Sequence, residues 1–278
     1  MSAVVIYHGN CYDGFGAAWA AWRKLGDSAR YIPALYGDPL PAEAWECDLY
    51  IVDFSYPRRV LEGRARDWTH LAPLTEFRVL DHHKTAQADL AGLPFCTFDM
   101  TKSGAMLAWE HFHPGVEPPA LIRYVQDRDL WRFDLPGSRE VSAWLRSYPF
   151  AFGAWSMCAA RLAENAEGVI AEGAAIQRFQ SEQVQVMCRQ AVMREVCGHK
   201  VPVANATVFF SEVGEELCKA YPEAPFAAYY MDRADGKRQW GLRSRTGFDV
   251  SAIAKQYGGG GHQAAAGFTE PAPPGAPA

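Results

Sequence analysis

The sequence predicts an α/β protein in three parts: a mainly parallel sheet at the N-terminal end, a helical linker, and a smaller C-terminal α/β unit. Three observations carry this. Short apolar, β-branched runs alternate with longer helix-like stretches over the first half of the chain, the pattern of a sheet built with right-handed crossovers. Residues 150–201 contain no proline and carry apolar residues such as Ile176, Phe179 and Val186 at helical spacings. Strand-like runs then return, with a short helix and a glycine-rich segment near the end.

The elements follow in order. "AVVIY" is a strand, "HGNCYDGFG" a loop and "AAWAAWRKLG" a helix that Gly26 can stop. "SARYIPALYG" reads as a second strand. "CDLYIVDFSYP" reads as a third, apolar at successive positions as buried parallel strands are, and ended by Pro57. "EFRVLDHHK" is a fourth strand. "SGAMLAWEHF" and "PALIRYVQDRDLWRF" read as helices, and residues 155–197 as mostly helical. In the last part "VPVANAT", "APFAAYYMD" and "RQWGLRSR" read as strands, and "DVSAIAKQY" as a short helix leading into "GGGGHQAAAGF". The domains are therefore placed at 1–150, 151–198 (linker) and 199–269, with a Pro-rich disordered tail at 270–278.

Composition narrows the function. The 278 residues are 49% hydrophobic, enough for a core in each of two domains, and the net charge of −5 gives no basic field for long duplex nucleic acid. An anionic substrate then needs a local positive charge, which bound metal ions can provide. The seven cysteines are scattered without a CxxC pair, which excludes a zinc ribbon and a disulfide framework and points to a reducing cytoplasm. No apolar run reaches membrane-spanning length, and the N-terminus lacks the features of a signal peptide.

Four polar clusters fall at strand ends or in loops: His8 with Asp13, Asp53, Asp81-His82-His83, and Asp127 with Asp129. Each has a plain reading alone. His8 suits a hydrogen-bonded loop, Asp53 a helix N-cap, and Asp127 and Asp129 a solvated helix face whose two members spacing does not separate. In a parallel sheet, however, such tips share one edge. Carboxylates crowded there repel one another unless cations neutralise them. Oxygen and imidazole donors suit Mn²⁺ or Mg²⁺ better than structural zinc. A shared acid would hold two ions roughly 3.5–4 Å apart, the two-metal arrangement of phosphoryl chemistry. In the last part, the glycine run would offer backbone N–H groups to phosphate, beside His262. Arg243 and Arg245 alternate along a presumed strand and could reach an anion from one face. Phe15 or Trp131 could stack on a base.

These motifs resemble the DHH phosphoesterase superfamily, in the branch that joins a DHH domain to a DHHA1 domain and includes nanoRNase/pAp phosphatase enzymes and, more distantly, RecJ. "LDHHK" matches the name-giving motif, "IVDFSYP" the isolated-Asp motif and "YVQDRDLW" the fourth acidic motif. "GGGGHQAAAGF", preceded by "LRSR" and "DVSAIAKQYG", matches the DHHA1 signature. The resemblance implies an active site in the cleft between the two domains, with two ions, Mn²⁺ or Mg²⁺. Asp53 would bridge them. His82 and Asp127 would bind one together with Asp13, and His8 the other. Asp81 would be a ligand or would orient a histidine, and His83 would face the scissile phosphate. Gly259, Gly260, Gly261 and His262 would hold the substrate's terminal phosphate or sugar, and Arg243 and Arg245 its phosphate or base. One departure stands out: Cys11 occupies the place of an expected aspartate, which leaves the first metal site short of a hard donor. The implied activity is a metal-dependent phosphodiesterase or exonuclease on short oligonucleotides, linear dinucleotides or pAp, with no membrane partner; a homodimer is one assembly left open. The alternatives are an exopolyphosphatase or pyrophosphatase, and a catalytically weak nucleotide-binding protein.

Overall fold

The computed structural model describes residues 3–45, 47–71, 76–245 and 247–273, and the side chains of 67–71 are outside the description. In chain order the elements are β1 (Ala3–His8), α1 (Tyr12–Leu25), β2 (Arg30–Ala34), β3 (Asp48–Val52), α2 (Arg58–Leu71), β4 (Phe77–Asp81), α3 (Lys84–Asp89) and β5 (Cys96–Phe98). Helices follow: α4 (Gly104–Phe112), α5 (Ala120–Asp129), α6 (Ser138–Leu145), α7 (Phe152–Glu164) and α8 (Ala166–Cys188). The last elements are β6 (Val192–Val196), β7 (His199–Asn205), α9 (Phe210–Ala220), β8 (Ala227–Asp232), β9 (Lys237–Arg243), α10 (Val250–Gln256), β10 (Gly260–Gly261) and β11 (Ala265–Pro271).

The chain divides into two compact units, residues 1–177 and 178–278. The first holds a five-stranded sheet of order β2-β1-β3-β4-β5, parallel throughout. Strand alternation sorts its side chains between two layers. Val5, Tyr50, Val52 and Leu80 pack with α1, α4, α5 and α7 on one face. Ile6, Leu49, Ile51, Phe77 and Val79 pack with Leu61 of α2 on the other. Burial on both faces explains why these strands read as continuous apolar runs. The order reverses between β1 and β3, and the crevice at the carboxyl ends of such a pair is where open α/β sheets bind ligands.

The second unit holds a sheet of order β10-β11-β9-β8-β7-β6, in which only β7 and β8 run parallel. Val203, Ala228 and Leu242 pack with α10 on one face; Ala204 and Ala227 pack with α9 and Val184 of α8 on the other.

Several boundaries differ from the sequence reading. β3 ends at Val52, well before Pro57, because Asp53 takes a left-handed backbone (φ 54°). The helix expected through Phe133 stops at Asp129, since Trp131 (φ 57°) and Phe133 (φ 56°) are also left-handed. The expected linker 151–198 contains α7 and α8, but its end forms strand β6. Phe179 and Val186 of α8 are exposed rather than core. Glu270 and Pro271 belong to β11, and residues 274–278 of the expected tail are outside the described residues. All seven cysteines are free thiols. Among the described residues no helix is long and apolar enough to cross a membrane.

Candidate metal centre

The carboxyl edge of the first sheet gathers the polar corners. His8 ends β1, Asp53 follows β3, and Asp81 ends β4 with His82 and His83 directly after it. The left-handed turn at Asp53 is fixed by its N–H, which donates to Leu80 O at 2.8 Å. A non-glycine residue in this conformation costs about 1–3 kcal/mol, and such strain gathers at functional sites. The Asp53 carboxylate is 1% exposed. Oδ1 lies 3.1 Å from His82 Nε2 and Oδ2 lies 3.6 Å from His8 Nδ1. Neither oxygen receives an aligned hydrogen bond.

His82 Nε2 is the hub of the cluster. Besides Asp53 it faces Asp13 Oδ2 at 3.4 Å and Asp129 Oδ2 at 3.6 Å. Asp129, not Asp127, is therefore the acid of "YVQDRDLW" that joins the group. Asp127 is buried, and its carboxylate accepts the N–H groups of Asp134 (3.0 Å) and Leu135 (3.2 Å), so it holds the turn after α5. The two acids stand two apart on the last turn of α5 and so face different ways. This corrects the assignment of Asp127.

Asp13 has a second task. Its Oδ2 accepts Gly104 N–H at 2.6 Å and its Oδ1 accepts Ala105 N–H at 2.9 Å. The first turn of α1 is thereby tied to the N-terminus of α4, whose dipole favours a carboxylate. The approach needs glycine twice. A Cβ on Gly104 would collide with the Asp53 side chain, and one on Gly14 with the carbonyl of His8.

Asp81 is fully buried and fully used. Oδ1 accepts the N–H groups of His82 (2.7 Å) and His83 (3.2 Å) and meets His83 Nδ1 at 2.7 Å; Oδ2 accepts Ser55 Oγ–H at 2.5 Å. The geometry orients His83, and Asp81 also forms a possible donor set with Asp53 and His83.

Cys11 precedes α1, and its thiol forms a possible donor set with His8 and Asp53, their ligand atoms all within 4.8 Å of one another. Asp13, His82 and Asp129 form a second such set.

The electrostatics describe a centre short of positive charge. Burial pushes the Asp13 carboxyl well above the usual range, with Asp53 and Asp129 adding to it. Burial likewise raises Asp129. It also raises the Cys11 thiol, which the carboxylates of Asp53, Asp13 and Asp129 raise further. Burial opposes charge on His82, yet its contact with Asp53 and the surrounding carboxylates push it up to about 11. For Asp53, burial is outweighed by the adjacent His8 and His82 imidazoles, which hold the carboxyl well below its ordinary value. His82 Nε2 thus faces three acids that favour its charged form. Two Asp53 oxygens, Asp129 Oδ2 and His8 Nδ1, all buried, still lack aligned hydrogen-bond partners. Buried polar atoms left so are costly, and cations held by these groups would satisfy them. The donors, carboxylate and imidazole with one thiol, fit a divalent metal.

In the second unit, "GGGGH" is part of a hairpin. Gly260 pairs with Gly267 and Gly261 with Ala266, while His262 N–H donates to Ala265 O at 2.8 Å to close the turn. A Cβ on Gly259 would strike Gly267 O, so this glycine is required by strand packing. β9 ends at Arg243, which is buried, whereas the Arg245 side chain is 51% exposed and lies 3.8 Å from Glu215. Both arginines lie against α9, Arg243 beside Gly214 and Arg245 beside Glu215, although β9 ends at Arg243. Phe15 is core, stacked among Phe150, Phe152 and Trp155. Trp131 lies under the Arg128 guanidinium at 4.3 Å. Gly14, Gly104 and Ser55 serve the site without standing out in the sequence. Only the Ser103-Gly104 pair opening an apolar helix carries a readable N-cap signal.

No protein-family model matches the chain. It is 28% identical to an uncharacterized protein of Acanthamoeba polyphaga mimivirus over 95% of its own length, and spans 66% of that relative. Among solved structures it is similar to the DHH domain of a protein described as a member of a ribosomal-protein family (14% identity, 98% of this chain and 83% of that one, TM-score 0.59). It also matches a pGpG-specific phosphodiesterase of Vibrio cholerae (14%, 98% and 94%, TM-score 0.49). RecJ of Thermus thermophilus in complex with Mn²⁺ matches as well (16%, 96% and 49%, TM-score 0.49). The chain has the fold of the DHH-domain proteins.

Proposed function

We propose that the protein is a metal-dependent phosphoester hydrolase acting on short oligonucleotides or small nucleotide phosphoesters, linear dinucleotides and pAp among them. The observation that carries this reading is the buried Asp53 carboxylate, one oxygen toward His82 and the other toward His8, with no aligned hydrogen bond to either. Asp53 would be shared between two divalent ions, Mn²⁺ or Mg²⁺, held on one side by His82, Asp129 and Asp13 and on the other by His8 and Cys11. When bound, such ions lower the pKa of water and offset charge on phosphoryl oxygens. The chain's own groups do the rest. Asp81 accepts from His83 Nδ1–H and fixes the ring, and His83 as imidazolium would carry a second proton on Nε2 to give to the leaving oxygen, becoming neutral imidazole. Left-handed Asp53 and the α4 N-terminus hold the donors rigid, so little reorganisation is needed during reaction. His262 on its hairpin turn and exposed Arg245 would contribute phosphate or sugar contacts.

The test is hydrolysis of a ladder of labelled 2- to 10-nucleotide RNAs and DNAs with Mn²⁺, beside pAp, cyclic dinucleotides and polyphosphate (chain lengths of about this range suit a small site). Turnover of the shortest oligonucleotides, lost in Asp53→Asn, is expected. Cleavage of polyphosphate alone would replace the nucleotide reading with the polyphosphatase one, and no turnover on any substrate would leave a binding protein.

A further inference from the structure

Tyr36 is 58% exposed, yet it stands on the edge that carries the metal centre. The register explains its place. Ala34, the last residue of β2, pairs with His8, and Gly9 N–H donates to Ala34 O, so the chain leaving β2 passes the end of β1. A tight turn follows at once. Asp38 N–H donates to Leu35 O at 3.0 Å, and the Asp38 carboxylate takes Leu35 N–H at 2.8 Å. Gly37 is left-handed (φ 101°), as the third position of a type II turn requires. Tyr36 occupies the second position and is held by backbone bonds on both sides.

Its ring is backed by Phe54, itself 1% exposed, at 5.0 Å between centroids. It stands edge-to-face to His8 (5.5 Å) and to His83 (6.1 Å). A large aromatic ring is thus half in solvent, fixed in direction and beside His83. Its packing leaves more than half of its surface open, although burial would be favourable for a ring of this size. Base–aromatic stacking uses such a surface and tolerates any sequence, because every base has a π-face.

We propose that Tyr36 is a stacking platform for a base of the substrate, selecting nucleotides over phosphate chains that carry no base. This rests on the phosphoester-hydrolase reading for its catalytic consequence, though not for the binding itself. It assigns the substrate class to the turn after β2: a nucleotide whose base lies on Tyr36 while its phosphodiester lies at the metal centre.

Two measurements test it. The first compares kcat/KM for a ribodinucleotide and for the same phosphodiester with abasic sugars, in the wild type, Tyr36→Phe and Tyr36→Ala. Tyr36→Ala should lose about 5- to 150-fold more on the dinucleotide than on the abasic diester, the range of a single stacked base. Tyr36→Phe should keep wild-type values on both. An equal loss on both substrates, or none on either, overturns the proposal. The second measurement titrates a 2-aminopurine dinucleotide and follows its fluorescence. Stacking on Tyr36 should quench it in the wild type and in Tyr36→Phe, and Tyr36→Ala should lose the quenching and weaken binding. Quenched binding without turnover would sink the hydrolase reading and keep the platform. Turnover that is indifferent to Tyr36→Ala would do the reverse.

Discussion

Asp53→Asn separates a metal centre from a buried polar cluster without needing a substrate. The substitution keeps the side chain's shape and removes the one carboxylate whose two oxygens face both His82 and His8. If the cluster holds divalent ions, Mn²⁺ at a hundred times its dissociation constant stabilises the folded wild type by about 2.7 kcal/mol. For a unit the size of residues 1–177, each kcal/mol is worth about 2–4 °C in Tm. The wild-type shift should therefore be about 5–11 °C. In Asp53→Asn the acids Asp13 and Asp129 still face His82, so the metal-free variant should fold, and the shift should shrink below about 2 °C. Differential scanning calorimetry with and without Mn²⁺ reads both quantities. A variant that keeps the full shift at the same metal concentrations would remove Asp53 from the centre, and a wild type with no shift would remove the metal.

Three further outcomes are expected. Asp127→Ala should lower Tm by leaving the N–H groups of Asp134 and Leu135 without their acceptor, at about 1–3 kcal/mol, and keep the Mn²⁺-induced shift; Asp129→Ala should do the opposite, and the reversed pattern would restore Asp127 as the ligand. His82 has its pKa raised from 6.5 to about 11, so the stability its proton confers on the metal-free protein is full below the lower value and lost as pH rises toward the upper one. A metal must displace that proton. Mn²⁺ affinity measured by titration calorimetry should therefore strengthen by up to about tenfold per pH unit above neutrality, and a flat profile would show that His82 is not a ligand. Cys11→Asp should tighten Mg²⁺ and Mn²⁺ binding by supplying a hard donor beside His8 and Asp53, and unchanged titration curves would place Cys11 outside the set.

The legible parts of the sequence are those with one physical cause. Val4, Val5 and Ile6 or Leu49, Tyr50 and Ile51 are apolar because both faces of the sheet are covered. Aligned strand ends then bring His8, Asp53 and Asp81 together by register alone. What escapes a sequence reading has causes that lie elsewhere in the fold. Asp127 and Asp129 have the same chemistry, and only the phase of α5 decides that Asp129 faces His82 while Asp127 holds the following turn. Gly104 looks like an ordinary first helical residue until Asp53 is set against it from a strand some fifty positions earlier. The glycine run has the composition of a ligand loop, yet close strand approach in the β10–β11 hairpin demands part of it.

The two donor sets differ in what holds them, and this bears on the role of Cys11. Asp13 is locked to Gly104 and Ala105 by two backbone hydrogen bonds. Asp53 is fixed by its own left-handed backbone and its bond to Leu80. Neither depends on a side chain at position 11 for its orientation. The set of His82, Asp13 and Asp129 therefore stays assembled whatever that position carries. Position 11 belongs to the other set, where the Cys11 thiol stands with His8 and Asp53. A thiolate there shifts preference toward softer ions, while the carboxylates around His82 continue to favour hard ones. On the proposed reading, Cys11 would therefore affect the donor set of His8 and Asp53 and leave the set of His82, Asp13 and Asp129 as it stands.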